Sequence, residues 1–354
     1  MLAAVSAAAA AVDPWRFHAH PDTWFVVVLA AFGYWYAVRR VGPRVMGGRA
    51  TVVTRRQVLC FSAGLLAIEL ASDWPIHDLA ENYLFSAHML QHMLISLFAP
   101  PLLLLGMPAW LIRHILRPRW AAGTVRVLGR PLVAGLMFNT VIAISHAPFW
   151  VNATLEHHPL HFWAHLLLFV SALLMWFPVI NKLEEFPTLS ATGRMVYLFL
   201  QSVVPNVPVA FLVMSDGVLY RFYANAPHPI AGLNAINDQQ LAGAIMKVGG
   251  TFYLWGIITV LFFRWAATQY RSDGNADDRA ASAAEGEQML ARRRTRRPEP
   301  AAVLAGRGTG SAGGARGAGK APDGQDAMPR VLTWDHVAEE LARTPPAEPD
   351  GPDG

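Results

Sequence analysis

Histidines at helical spacing are the residues of this sequence best suited to chemistry. His88 and His92 lie four residues apart in the segment FSAHMLQHM, where a long apolar run begins. On a helix such a pair shares one face, with Cβ atoms about 5–6 Å apart, so both imidazoles can bind one metal ion. His161 and His165 repeat this spacing, and His146 precedes them. The pattern predicts a metal site built from these five histidines.

The composition indicates that these histidines belong to a membrane protein. Of the 354 residues, 53% are hydrophobic and only 15% are charged, which is unusual for a soluble domain. We predict an all-α polytopic membrane protein, a bundle of seven transmembrane helices. The apolar segments that predict these helices are 24–38, 58–71, 87–105, 132–145, 162–180, 195–214 and 241–263.

The basic residues predict the orientation in the membrane. Thirteen of them lie in the connections after predicted helices one, three and five, whereas the other side carries only Arg16 and Arg221. Because cytoplasmic loops are enriched in Lys and Arg, we predict an outside N-terminus and a cytoplasmic C-terminus, with the protein in the cell inner membrane. We attribute the net charge of +4 to this topology and expect no nucleic-acid binding.

The chain divides into three predicted regions. Residues 1–22 form an outside segment, residues 23–266 the transmembrane domain, and residues 267–354 a cytoplasmic tail. The tail is rich in Ala, Gly, Pro and Arg, a composition that buries little apolar surface and predicts disorder. Within it, residues 331–343 could form a short amphipathic helix.

Convergence of the histidines is what favours a site over a packing role. A single helix histidine is more often a hydrogen-bonded structural residue, and we place His77, His157, His158 and His228 in that class. A charged side chain at membrane depth costs about 2.5–3.5 kcal/mol, so polar groups there face protein or a polar cavity. Several imidazoles at one membrane level are therefore best explained by a bound ion.

Three acidic residues are candidates for supporting the imidazoles. Glu69 and Asp73 lie four residues apart near the outer end of predicted helix two, and Asp238 lies before helix seven. Glu69 and Asp73 either cap and hydrate their helix at the interface or face the histidine cavity. In the second case they and Asp238 would hydrogen-bond the metal-binding imidazoles and fix their orientation.

The available types of ligand atom limit the choice of metal. Cys60 is the single cysteine, which leaves nitrogen, oxygen or thioether ligands. Imidazole suits copper, zinc, iron and nickel, and thioethers favour Cu(I). Met89 and Met93 follow His88 and His92 directly. Their side chains point about 100° away from the histidines around the helix, so they could instead be core residues. We predict copper, as Cu(I), with zinc as the alternative.

A haem is a further alternative to a single ion. Transmembrane haems with two histidine ligands take one ligand from each of two helices. Pairs one turn apart suit one small ion better than two macrocycles, although a single haem between helices three and five stays open. The sequence has no glycine-rich phosphate loop, nucleophile elbow or zinc-protease motif, and we expect no enzymatic activity.

Five sequence blocks in order resemble the CtaG family, the assembly factors of caa3-type cytochrome c oxidase. The resemblance covers residues 20–265 and leaves out the tail; its blocks are FSAHMLQHMLISLFAPPLLLLGMP, HAPFW, HFWAHLLLF, QSVVPNVPVAFL and DQQLAGAIM. It implies a seven-helix membrane protein that helps to mature the oxidase by supplying copper to subunit I. The family's histidine blocks match at the five histidines named above, and its acidic positions match at Asp73 and Asp238.

The predicted function is therefore a membrane assembly factor for a haem-copper cytochrome c oxidase. It would bind copper at the outer side and help to deliver it to oxidase subunit I, with a periplasmic copper donor as a further partner. The alternatives are a haem-binding membrane electron-transfer protein and a metal transporter.

Overall fold

The computed structural model describes residues 15–48, 52–227 and 233–295, and these residues form helices without any strand. The predicted all-α fold class is confirmed. In chain order the α-helices are α1 (Pro21–Tyr36), α2 (Gly42–Val45), α3 (Arg55–Ser72), α4 (Ile76–Asn82), α5 (Phe85–Met93), α6 (Ala99–Gly106), α7 (Ala109–Ile115), α8 (Arg119–Leu128), α9 (Pro131–Ser145), α10 (Pro148–Glu156), α11 (His158–Ile180), α12 (Ala191–Val203), α13 (Asn206–Met214), α14 (Arg221–Asn225), α15 (Ala235–Ala244) and α16 (Gly250–Thr295).

π-helical segments join several of these helices end to end. Ala37–Val41 connects α1 with α2, Leu94–Phe98 connects α5 with α6, and Ile245–Gly249 connects α15 with α16. Such turns occur frequently at functional sites. The second begins two residues after His92, so the helix that carries the first histidine pair changes its winding directly beyond that pair.

The helices are long and apolar enough for a multi-pass membrane protein. Five stretches of the described residues meet this length and composition, and α8 with α9, which meet at 80°, would supply a sixth. The predicted sixth span is divided into α12 and α13, each shorter than the roughly 20 residues that cross a bilayer. The count of seven and the orientation of the termini stay predictions. The five stretches are Pro21–Val45, Arg55–Asn82, Phe85–Gly106, Pro159–Ile180 and Ala235–Arg292.

Proline explains the division of the predicted sixth span. Pro205 lies between α12 and α13, and proline cannot donate the backbone hydrogen bond that would continue the helix. The Asn206 side chain donates from Nδ2 to the carbonyl oxygen of Ser202 at 2.8 Å. A broken helix in a membrane requires such replacement partners for its freed carbonyls.

Two buried clusters hold the helices that position the histidines. One surrounds Trp176 of α11 and includes residues of α9 and α12. The other contains Phe85 and Met89 of α5 together with Tyr220 and Tyr223. Because α5 also packs against α15, and α11 against α9 and α10, the helices with the two histidine pairs are each held by several neighbours. Many large apolar side chains face outward, as expected for contact with lipid.

The first part of the predicted disordered tail is helical. We expected a disordered tail from residue 267, but α16 continues to Thr295. Residues 267–295 contain many strong helix formers, Ala, Arg, Glu and Gln, and no proline. Most Gly and all Pro residues of the tail follow residue 295, so averaging over the whole tail hid this helical part. The amphipathic segment predicted at 331–343 lies outside the described residues.

Candidate metal centre

Two helices each present a pair of histidines to a common interior point. His88 and His92 lie on α5, and His161 and His165 lie on α11. The first three of these side chains belong to residues only 3–4% exposed, and His165 is half-buried. The four-residue spacing that predicted a shared helix face thus occurs on both helices, and the two faces meet.

The imidazole rings of these four histidines lie in direct contact. Ring centroids are 4.4 Å apart for His88 and His92, and 4.2 Å apart for His161 and His165. Between the helices, the separations are 5.5 Å from His88 to His161, 5.7 Å from His88 to His165 and 5.1 Å from His92 to His165. For His88, His161 and His165, one nitrogen of each ring lies within 4.8 Å of the others. Three imidazoles are therefore close enough to share one ion.

Buried ring nitrogens without hydrogen-bond partners among the described residues make these histidines suitable metal ligands. Among the described residues, His88 Nδ1, His92 Nδ1, His161 Nε2 and His165 Nε2 are all buried without a hydrogen-bond partner. A buried polar atom left unpaired costs about 1–3 kcal/mol, and such atoms call for an explanation such as a bound ion or water. Four of them in one cluster are accounted for together if the nitrogens carry lone pairs for a metal.

His146 borders the cluster from the end of α9. Its ring is 5.7 Å from that of His92. Its Nδ1 lies 2.7 Å from the carbonyl oxygen of Ile142, to which it donates, and its Nε2 lies 3.2 Å from Met246 Sδ. Because Nδ1 carries the proton, an imidazole nitrogen and a thioether sulfur meet with their lone pairs. This donor pair is typical of Cu(I) ligation.

Glu81 is a functional candidate that the sequence analysis missed. Its Oε1 accepts a hydrogen bond from His161 Nδ1 at 2.5 Å and lies 3.4 Å from His77 Nε2. A carboxylate on the far nitrogen fixes the tautomer and orientation of a metal-binding imidazole, here leaving His161 Nε2 for the ion. The four-residue spacing of His77 and Glu81 was the available signal, but we had placed His77 with the structural histidines.

Within the described residues, no hydrogen bond or ion pair joins the three predicted acidic partners to the cluster histidines. Asp73 ends α3 and accepts a hydrogen bond from the Trp24 indole at 2.8 Å. Glu69 is half-buried, and its Oε2 has no hydrogen-bond partner. Both carboxylates lie on α3 or at its end, so their four-residue spacing describes that helix and not the histidine site.

Asp238 acts on the site indirectly, through the start of α5. Its carboxylate accepts hydrogen bonds from the backbone N–H groups of Phe85 and Ser86, at 2.6 and 3.2 Å, and from the Ser86 hydroxyl. It therefore caps the helix that presents His88. We had predicted instead that it would hydrogen-bond an imidazole. A negative charge is favourable at this position because the N-terminal N–H groups of a helix have no partner within it.

A small cavity lies beside the cluster, next to the break between α12 and α13. Its volume is about 60 Å³, enough for water but far below the roughly 300–1,000 Å³ of pockets that hold organic ligands. Its wall combines His92, Met93 and Met246 with the polar side chains of Ser96, Gln201, Ser202, Asn206 and Thr251. Space at the cluster suits an ion or water better than a macrocycle.

A comparison with known families identifies the family of the chain. The sequence matches the family described as cytochrome c oxidase caa3 assembly factor (Caa3_CtaG) over residues 32–268, more than half of the chain. The chain belongs to this family. The resemblance found in the sequence blocks is thereby confirmed, and all five histidines predicted as ligands lie within the matched range. His18 and His20 precede it.

One relative extends the comparison. An uncharacterized protein of Mycobacterium leprae (strain TN) is 27% identical over 293 residues, which are 76% of this chain and 42% of that protein. The chain thus spans less than half the length of this relative. No solved structure matches the chain.

The remaining histidines on the predicted outer side differ in their surroundings. His157 is exposed, the side chain of His158 is not described, and His228 lies outside the described residues. His77, which we placed with the structural histidines, instead contacts Glu81 and lies 4.7 Å from His20, between ring centroids. The structural role of His77 stays a prediction.

Proposed function

We propose that this protein is an assembly factor of the cell inner membrane that binds Cu(I) and helps to deliver it to subunit I of a cytochrome c oxidase. Membership in the oxidase assembly factor family gives the process. The four buried imidazole nitrogens that lack a hydrogen-bond partner within the described residues support a metal site, and the proposal depends on this observation.

His88, His161 and His165 would bind the ion, because their ring nitrogens lie closest to one another. The ring of His92 is 5.1 Å from that of His165, so His92 could exchange with one of these ligands. Cu(I) accepts two to four imidazole or thioether ligands without a demanding geometry. A ring of histidines can therefore release the ion by exchanging ligands one at a time, which a carrier requires. His146 and Met246 extend the ligand set on one side.

Copper is preferred to zinc and haem for separate reasons. Met246 Sδ lies 3.2 Å from His146 Nε2, and a thioether next to imidazole favours Cu(I) over Zn²⁺. The cavity of about 60 Å³ beside the cluster is too small for a haem. A periplasmic copper donor would supply the ion from the predicted outer side.

A metal transporter is a second candidate, favoured by one observation. The cavity that includes His92 and Met246 also reaches the proline break after Val203, and broken helices that line cavities mark ion sites in transporters. Copper uptake into sealed vesicles would support this function. An assembly factor would bind copper without moving it across the membrane.

A pair of variants tests the proposal in cells that lack their own copy of the protein. Replacing His88 and His92 together by alanine should leave the protein in the membrane but leave the oxidase without subunit I copper and inactive. Replacing the exposed His157 by alanine is the matched control and should have no effect. The measurements are oxidase activity and copper per purified oxidase. Normal oxidase in the double variant would contradict the proposal.

A further inference from the structure

A second group of metal-ligating side chains lies where the segment before α1 meets α4. His18 Nδ1 is 3.2 Å from Asp78 Oδ2, and His20 Nε2 is 3.1 Å from Asp78 Oδ1. The ring of His20 lies 4.7 Å from that of His77, between centroids, a separation within the range found in the buried cluster. Three imidazoles and one carboxylate are thus gathered on the predicted outer side.

The hydrogen bonds of this group leave ligand atoms available. Asp78 accepts one N–H from each of His18 and His20, so the second nitrogen of each ring carries a lone pair. Within the described residues, His18 Nε2 and His20 Nδ1 have no hydrogen-bond or ion-pair partner. A carboxylate behind an imidazole is the arrangement that prepares histidine for a metal.

Glu81 connects this group to the buried cluster. The same oxygen, Oε1, lies 3.4 Å from His77 Nε2 and 2.5 Å from His161 Nδ1. Side-chain exposure falls from 50% at His18 through 20% at His20 and 19% at His77 to 5% at His161. Imidazoles therefore follow one another from the surface to the buried site, and the carboxylates of Asp78 and Glu81 lie between them.

We propose that His18, His20, His77 and Asp78 form an entry site that binds the copper ion first and passes it along His77 and His161 to the buried cluster. The inference rests on the proposed copper-binding function. The ion stays Cu(I) throughout, and each step forms one Cu–N bond as another breaks. At His77 the ion would replace the Gln91 amide, whose nitrogen lies 3.1 Å from His77 Nδ1. The two carboxylates offset the charge of the ion on its way into the protein.

A purely structural role would explain the same contacts differently. The hydrogen bonds from His18 and His20 to Asp78 also attach the segment before α1 to α4, and this attachment needs no metal. The two roles are separated by measuring how fast copper reaches the buried cluster, because an anchor affects folding while an entry site affects loading.

The test uses the purified full chain in detergent with Cu(I) supplied from a chromophoric chelator in excess. The double substitution His18→Gln/His20→Gln keeps polar side chains but removes the imidazoles, and His157→Gln is the exposed control. We expect the double variant to lose a weakly held second copper equivalent and to load the buried cluster slower by on the order of tenfold. The final affinity of the buried cluster and the melting temperature should match those of the parent and of the control.

The outcomes separate the entry site from the copper-binding function. If the parent takes up copper and the double variant loads at the parent's rate with the same stoichiometry, the entry site is refuted and the proposed function stands. If the parent binds no copper at all, the proposed function itself fails. If the double substitution lowers the melting temperature, the loading experiment is repeated with Asp78→Asn, a variant that keeps both histidines. Loading of this variant at the parent's rate would equally refute the entry site.

Discussion

Replacing His88 by leucine separates a metal-binding role of the cluster from a structural one. His88 is 3% exposed, and its Nδ1 is buried without a partner. Leucine is a good helix former that carries no polar atom, so it removes an unpaired-group cost of about 1–3 kcal/mol. It also removes the ring contact with His92 at 4.4 Å, worth about 0.5–1.5 kcal/mol. Without metal, the free energy of unfolding should change by between about −0.5 and +2.5 kcal/mol.

Bound Cu(I) should make the parent more stable than the His88→Leu variant. A ligand that binds only the folded protein, at a free concentration about 100-fold above its Kd, stabilises it by about 2.7 kcal/mol. The parent should gain this amount in buffered Cu(I), whereas the His88→Leu variant has lost one of its three closest ligands and should gain much less. Without metal the variant should therefore be at most about 0.5 kcal/mol less stable than the parent, and with copper it should melt below the parent.

Thermal melting of the detergent-solubilised full chain, followed by tryptophan fluorescence, measures both conditions. His157→Leu, at an exposed position, is the matched control and should follow the parent with and without copper. A variant that is destabilised by several kcal/mol in the absence of metal would show that His88 is a structural residue. Equal copper stabilisation of parent and variant would remove His88 from the site.

Three further predictions concern the groups around the cluster. Glu81→Gln should weaken Cu(I) binding about 10–100-fold, because the carboxylate no longer orients His161; chelator competition measures this, and parent-like affinity would exclude a role for Glu81. Lowering the pH should weaken Cu(I) binding, because protons compete with the ion for the imidazole nitrogens. The same competition assay follows it, and a flat profile would contradict histidine ligation. Asp238→Ala should lower the free energy of unfolding by about 0.5–2 kcal/mol through loss of the α5 cap, whereas an unchanged melting temperature would mean that the cap is dispensable.

Local patterns made much of the fold and the choice of histidines predictable. Helix formation at an apolar segment, and a helix break at a proline, each depend on only a few neighbouring residues. The structure has helices at the apolar segments and a break at Pro205. The four-residue spacing of His88 with His92, and of His161 with His165, likewise fixes a shared helix face from the sequence alone.

Partners that are distant in sequence were not predictable in this way. The contact between Glu81 and His161 joins residues 80 positions apart, and the bond from Phe85 to Asp238 joins residues 153 apart. Both depend on how helices pack, which spacing along one helix does not report. We predicted the same supporting role for Asp238 and for Asp73, yet one caps α5 and the other ends α3.

Metal analysis of the purified full chain, together with its visible absorption spectrum, tests the central claim most directly. Protein loaded with Cu(I) and then desalted should retain about one copper ion per chain and show no haem Soret band. The His88→Ala/His92→Ala variant should retain much less copper under the same treatment. A stoichiometric Soret band in the parent, or equal copper in parent and variant, would contradict a copper site built from these histidines.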